Sequence, residues 1–187
     1  MIARLEGVLL EKTPTRVLLD VNGVGYDALI PLSTFTRLPD EGKTVALRIH
    51  THVREDAFQL YGFFTQRERE AFEMVLYASR IGPKLAQTIL SGIEAGALVN
   101  AIRDGDAAAL RAVPGIGAKT AERMLVELRD RAEDLAGASG DFRPGPGREP
   151  EPPARSETRH QLASALRNLQ ITKAKAEAVS AEVLEEL

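Results

Sequence analysis

I-G-P-K-L-A-Q-T-I-L at 81–90 and I-G-A-K-T-A-E-R-M-L at 116–125 are one motif written twice, thirty-five residues apart. Ile, Gly, Lys, Ala and Leu recur in the same places. Each copy puts a glycine turn and a lysine where a helix should begin. A helix N-terminus leaves backbone N–H groups unpaired and carries the positive end of the dipole, so each copy is a place for an anion. Two such places on one small unit can grip two points along a phosphate backbone. The duplication predicts a pair of helical hairpins in the middle of the chain.

The second copy, Pro114-Gly115-Ile116-Gly117-Ala118-Lys119, has the helix-hairpin-helix form of glycine, apolar residue, glycine, then helix. Gly115 permits a backbone angle that other residues resist, Ile116 anchors the turn in the core, and Gly117 lets a phosphate come close. Lys119 and Arg123 lie one turn apart and can point at the same strand. A bland alternative is an αα-corner with a solvated lysine, because short glycine motifs match often. Two copies at fixed spacing favour DNA. The first copy departs from the form: Arg80 stands where the second has Gly115. Either the turn keeps a left-handed residue at a cost of ~1–2 kcal/mol, or it has another shape. The candidate DNA-binding residues are Ile81, Gly82, Lys84, Gly115, Gly117, Lys119, Thr120 and Arg123. Contacts of this kind engage the sugar-phosphate backbone and read no base edges. The chain offers no recognition helix for a major groove and few aromatics for stacking on single strands. Binding should follow nucleic-acid shape and weaken steeply with salt.

Outward from the repeats, the helical period runs from Thr65-Gln66-Arg67-Glu68, which has the form of a capping box. Helices are expected near 67–78, 83–91, 95–103, 106–112 and 118–134, with Pro83 at a first helical position and Asp106 as an N-cap. Before residue 65 the chain reads as β. Stretches 2–11, 15–21, 24–30, 43–54 and 57–63 are rich in β-branched, aliphatic and aromatic residues, and turn residues part them. Asn22-Gly23 suits a tight type I′ hairpin. Residues 31–39 suggest a short helical turn, and Glu55-Asp56 tips a second hairpin. Five short strands with an insertion after the third predict a closed OB-like β-barrel. Residues 137–156 hold five of the ten prolines and no apolar period, so they read as a disordered linker. Beyond it, Leu162, Ala165, Leu166 and Leu169, then Ala176, Val179, Val183 and Leu184, fall at helical spacing. The fold class is α+β: 1–64 barrel, 65–136 tandem helix-hairpin-helix domain, 137–156 linker, 157–187 small helical module.

The 187 residues carry a net charge of −3, spread as −1 on each of 1–64, 65–137 and 138–187. A protein holding nucleic acid by bulk positive charge would look different, so phosphate binding must come from local geometry or from an assembly. No cysteine is present, which excludes disulfides and thiolate chemistry and fits a cytoplasmic protein. No stretch approaches the ~18 apolar residues of a membrane span. Charges at Arg4 and Glu6 do not suit a secretory leader.

Glu55 and Asp56 read first as a solvated turn. They also suit a wedge that repels phosphates, or a metal site with His52. His50 and His52 share a strand face, but no third ligand falls at metal-binding spacing, so both read as ordinary strand residues. No catalytic constellation, phosphate loop or nucleophile elbow stands out. The chain reads as a binder without cofactor or metal; the competing class is a metal-dependent nuclease built on Glu55, Asp56 and His52, and a third is a protein adaptor.

The barrel, the two hairpins, the linker and the helical tail together resemble the RuvA family, the Holliday-junction subunits of bacterial branch-migration complexes. The resemblance is most specific in H-V-R-E-D-A at 52–57 with L-Y-G-F at 60–63, I-G-P-K-L-A at 81–86 and G-I-G-A-K-T-A-E-R at 115–123. It implies a homotetramer, single or as a double tetramer, holding a four-way junction open and square-planar during recombination and repair in the SOS response. The hairpins would grip the arms in the minor groove. Glu55 and Asp56 would be the acidic pin at the junction centre, with Arg54 as a further contact there. Carboxylates from four copies would repel phosphates, help part strands and disfavour unbranched duplex. The tail, through Leu162, Leu166, Leu169, Val179 and Val183, would recruit a RuvB-type hexameric ATPase, and a RuvC-type resolvase would be a further partner. Catalysis would lie with the motor. Two departures are Arg80 and a tail of about two helices where the family usually has three.

Overall fold

The computed structural model describes residues 1–55 and 57–137. The expectations placed on Asp56, on the linker beyond 137 and on the module at 157–187, with Leu162, Leu166, Leu169, Val179 and Val183, lie outside the described residues.

Five strands, β1 (Arg4–Thr13), β2 (Arg16–Val21), β3 (Val24–Leu29), β4 (Thr44–Val53) and β5 (Phe58–Phe63), close a barrel in the order β1-β2-β3-β5-β4. Only β3 and β5 run parallel. A single turn of helix, α1 (Leu32–Phe35), fills the connection between β3 and β4. This is the OB-like barrel that the strand pattern predicts. Period-two alternation sends Val17 and Leu19 of β2, and Val45, Leu47 and Ile49 of β4, into one core. At the β2–β3 turn Asn22 and Gly23 adopt φ values of 54° and 86°, as a type I′ hairpin requires. β1 sits two residues later than expected. Ile2 pairs with β4 through Thr51 Oγ1, which accepts from its N–H at 2.9 Å, while Thr13 extends the ladder opposite Arg16.

The helical part comprises α2 (Gln66–Leu76), α3 (Pro83–Gly92), α4 (Ala95–Asp104), α5 (Ala107–Arg111) and α6 (Ala118–Gly137). Local chemistry starts each where the sequence indicates. Thr65 and Glu68 form a reciprocal capping box on α2. Pro83 occupies the first turn of α3. Asp106 caps α5 by accepting from the N–H groups of Ala108 and Ala109, both at 3.0 Å. Buried Leu98, Val99 and Ile102 make α4 part of the core. The last helix runs to Gly137 rather than ending near 134, because its apolar stripe of Ala121, Met124, Leu128 and Ala132 continues through Leu135.

The barrel and the first hairpin are joined by polar contacts across the chain. Gln87 Nε2 of α3 donates to the carbonyl oxygens of Ile30 at 2.6 Å and Thr15 at 3.2 Å. The Leu32 N–H donates to Ser91 Oγ at 3.0 Å. Tyr61 and Phe63 of β5 leave the barrel core and pack with Phe72 in the helical one. His50 is more than an ordinary strand residue. Its Nδ1 lies 3.1 Å from Glu73 Oε1 on α2, and Arg69 Nε lies 3.7 Å from the same oxygen. The hydrogen bond to His50 holds the Glu73 carboxyl below the usual carboxylate range, although burial opposes it.

Candidate nucleic-acid interface

The two copies of the motif build the same turn. In each, the isoleucine N–H bonds back three residues: Ile81 to Ala78 O at 3.2 Å, and Ile116 to Val113 O at 3.1 Å. The glycine carbonyl then accepts the first helical bond, from Ala86 to Gly82 at 3.0 Å and from Ala121 to Gly117 at 2.9 Å. Ile81 and Ile116 are each only 6% exposed. Ile81, with side chain and N–H both turned inward, anchors its turn instead of facing solvent. The turns lie side by side: a Cβ on Gly115 would meet Leu85 Cδ1 at 3.3 Å, and one on Gly92 would meet Val113 Cγ1 at 3.1 Å.

Arg80 settles the shape of the first turn. It keeps the left-handed backbone of its counterpart, φ 62° against 90° at Gly115. Only glycine adopts this conformation without cost; an L side chain there costs ~1–2 kcal/mol. A contact invisible to sequence reasoning holds the turn. The Ser79 N–H and Oγ donate to the Glu127 carboxylate on α6 at 2.6 and 3.0 Å. The Ser79 N–H pulls the Glu127 carboxyl below its ordinary range, with Arg123 adding to the effect. Forty-eight residues separate the partners, and no motif announces the pair.

Around the turns the surface is open and carries exposed lysines. A Cβ added to Gly82 or Gly117 would meet nothing within 4 Å. No side chain caps α3. Lys84 and Lys119, at matching places, are exposed. Thr120 and Arg123 are half-buried on the first turns of α6, and the Arg123 Nε is buried without a hydrogen-bond partner. The arrangement offers two adjacent helix starts, each with bare backbone and a lysine, which suits two phosphates of one backbone.

The β4–β5 hairpin presents a different surface. The Arg54 N–H bonds to Ala57 O at 2.8 Å across the tip, and Glu55 is exposed. Arg54 Nε donates to His52 Nε2 at 2.9 Å. Desolvation, then Arg54 and then His50, push the His52 imidazole below its ordinary value. One of the two His52 ring nitrogens therefore accepts from a cation, and among the described residues no group of three or more His, Asp or Glu is placed to hold a metal. Among the same residues no single helix is long and apolar enough to cross a membrane.

Comparison with known proteins finds a match for each half of this surface. Residues 1–62 match the RuvA N terminal domain, and 72–130, spanning both hairpins, match the SAM-like Helix-hairpin-helix tandem. The Holliday junction branch migration complex subunit RuvA of Solibacter usitatus (strain Ellin6076) is 51% identical over 178 residues, 95% of this chain and 87% of the relative. The protein of the same description from Geobacter metallireducens (strain ATCC 53774 / DSM 7210 / GS-15) is 45% identical over 183 residues, 98% of this chain and 89% of its own length. That from Pseudomonas syringae pv. syringae (strain B728a) is 49% identical over 142 residues, 76% and 70% respectively.

Proposed function

The chain belongs to the RuvA family, and from that premise we propose that it binds four-way junction DNA by shape, as the non-catalytic subunit of a cytoplasmic branch-migration complex. The observation that carries this reading is the pair of matching turns, packed against each other, each with an uncovered glycine beside an exposed lysine. Gly82 and Lys84 in the first hairpin, and Gly115, Gly117, Lys119, Thr120 and Arg123 in the second, hold phosphates of one arm. Ile81 serves as the buried anchor of its turn. No base edge is read, so sequence is indifferent and geometry decides.

One subunit grips one arm; a homotetramer, single or doubled, matches the four arms of an open junction. Residues 1–64 assemble the ring and line its centre, 65–136 grip DNA, 137–156 tether, and 157–187 recruit a RuvB-type hexameric ATPase, with a RuvC-type resolvase as a further partner. Glu55 and Asp56, beside Arg54, form the acidic pin. A cluster of carboxylates at the centre excludes a continuous duplex, whose phosphates it repels, and admits a crossover, where strands part.

A gel shift comparing a synthetic four-way junction with linear duplex of equal length, with and without Mg²⁺ across a salt series, tests this. Expected is strong junction preference, no cleavage and steep salt dependence. Glu55→Gln with Asp56→Asn should raise duplex affinity more than junction affinity, so the preference narrows. Equal binding of both DNAs by the unaltered protein would refute the reading, and Mg²⁺-dependent cutting would replace it with the nuclease.

A further inference from the structure

Among the positions where the two hairpins differ, two matching pairs exchange a cation reciprocally. At the turn, the first has Arg80 and the second Gly115. One turn beyond the shared lysine, the second has Arg123 while the first has Thr88. The Thr88 hydroxyl donates to its own helix, to Lys84 O at 3.1 Å, and brings no charge. Without Arg80 the first hairpin would hold a single cation where the second holds a pair. With it, each hairpin holds two cations, the second also carrying Glu122 where the first has Gln87.

Arg80 is exposed, and among the described residues its guanidinium has neither a hydrogen bond nor an ion pair. No polar contact among the described residues therefore explains its presence. It nevertheless occupies a left-handed position where glycine would relieve the strain, as in the second hairpin. The Ser79–Glu127 contact fixes the turn that carries it. Two residues along, the backbone at Gly82 faces empty space.

We propose that Arg80 is a phosphate-binding residue of the first hairpin, supplying from the turn the second cation that Arg123 supplies from the helix in the other. The proposal rests on the reading that both hairpins hold the DNA backbone. A guanidinium suits the task, because its fixed fork can engage two phosphate oxygens at once.

The test uses the full chain and a fluorescent synthetic four-way junction, with affinity measured across a sodium chloride series. Each lost phosphate contact lowers the slope of log affinity against log salt by ~0.9 per engaged subunit. Arg80→Gly should show this shallower slope and several-fold weaker binding at low salt. It should melt no lower than the unaltered protein, since strain is removed. Arg80→Lys, which keeps the charge, should retain most of the slope. Lys119→Ala reports separately on the underlying reading. If Lys119→Ala loses slope and Arg80→Gly does not, Arg80 makes no phosphate contact and the proposal is overturned alone. If neither variant changes binding, the two-hairpin reading falls and takes the proposal with it. A marked fall in melting temperature for Arg80→Gly would also overturn it, by making the side chain structural.

Discussion

Adding one methyl group to each uncovered turn glycine separates the fold from its function. Gly82 has φ −92° and ψ 171°, which alanine adopts without strain. Nothing lies within 4 Å of a Cβ at either Gly82 or Gly117. Alanine is a poorer N-cap than glycine by up to ~1 kcal/mol. Replacing glycine also narrows the unfolded ensemble, which favours the fold by ~0.4–1 kcal/mol. The two effects nearly cancel, and at ~2–4 °C per kcal/mol the melting temperature should move by no more than a few degrees. Binding should respond very differently. The new methyl groups stand where phosphate oxygens must approach, and a hydrogen bond to a charged group contributes ~1.5–3 kcal/mol. That converts to a loss of roughly tenfold to a hundredfold per turn. The doubly substituted Gly82→Ala Gly117→Ala protein should be compared with the unaltered one by junction anisotropy and by thermal melting. Gly115→Ala serves as contrast. Its φ of 90° and the Leu85 Cδ1 at 3.3 Å make alanine strained and crowded, so it should lose ~1–2 kcal/mol of stability as well. If the double variant melts normally and binds the junction with unchanged affinity, phosphates do not approach these glycines and the interface is wrongly placed.

Two further outcomes follow from the packing and from the ion pairs. Ile116→Ala removes a buried anchor that is 6% exposed; it should cost ~2–5 kcal/mol, a fall in melting temperature on the order of 10 °C, and an unchanged melt would mean that the turn does not depend on its apolar residue. Glu73→Gln probes the joint between barrel and helices. The folded carboxyl titrates below its ordinary 4.5, chiefly through His50, so between the folded and unfolded values the unfolded chain binds more protons. The stability this contributes is present above about 4.5 and is lost as pH falls through the lower folded value. With Glu73 over a third exposed, the difference from Glu73→Gln at neutral pH should be under ~1 kcal/mol. It should vanish in acid, and a gap that stays constant across urea melts from pH 7 to pH 3 would refute the assignment.

What the sequence discloses and what it hides divide by the range of the interactions involved. Asn22-Gly23, the Thr65–Glu68 box, Pro83 and Asp106 act within three or four residues, and each stands where the pattern puts it. Element ends were less legible. The stop near 134 missed that Leu135 and Ala136 still pack inward. The clamps that position the site were not legible at all. Ser79 with Glu127, His50 with Glu73 and Gln87 with Ile30 join partners forty-eight, twenty-three and fifty-seven residues apart, and polar residues at such distances carry no period to betray them.

The internal repeat narrows that gap, because each hairpin is a control for the other. The sequence alone left two shapes open for the turn at Arg80. Finding φ 62° beside 90° at Gly115 shows that the left-handed turn survives without its glycine. The departure at 80 is therefore a change of side chain on a preserved backbone. The charge missing from α3 at Thr88 and the charge gained at Arg80 can then be compared position by position with α6. A turn held from outside by Glu127 can carry a strained arginine, whereas one that depended on glycine for its shape could not. The same carboxylate that holds the first turn thus lets the two hairpins reach the same number of cations by different routes.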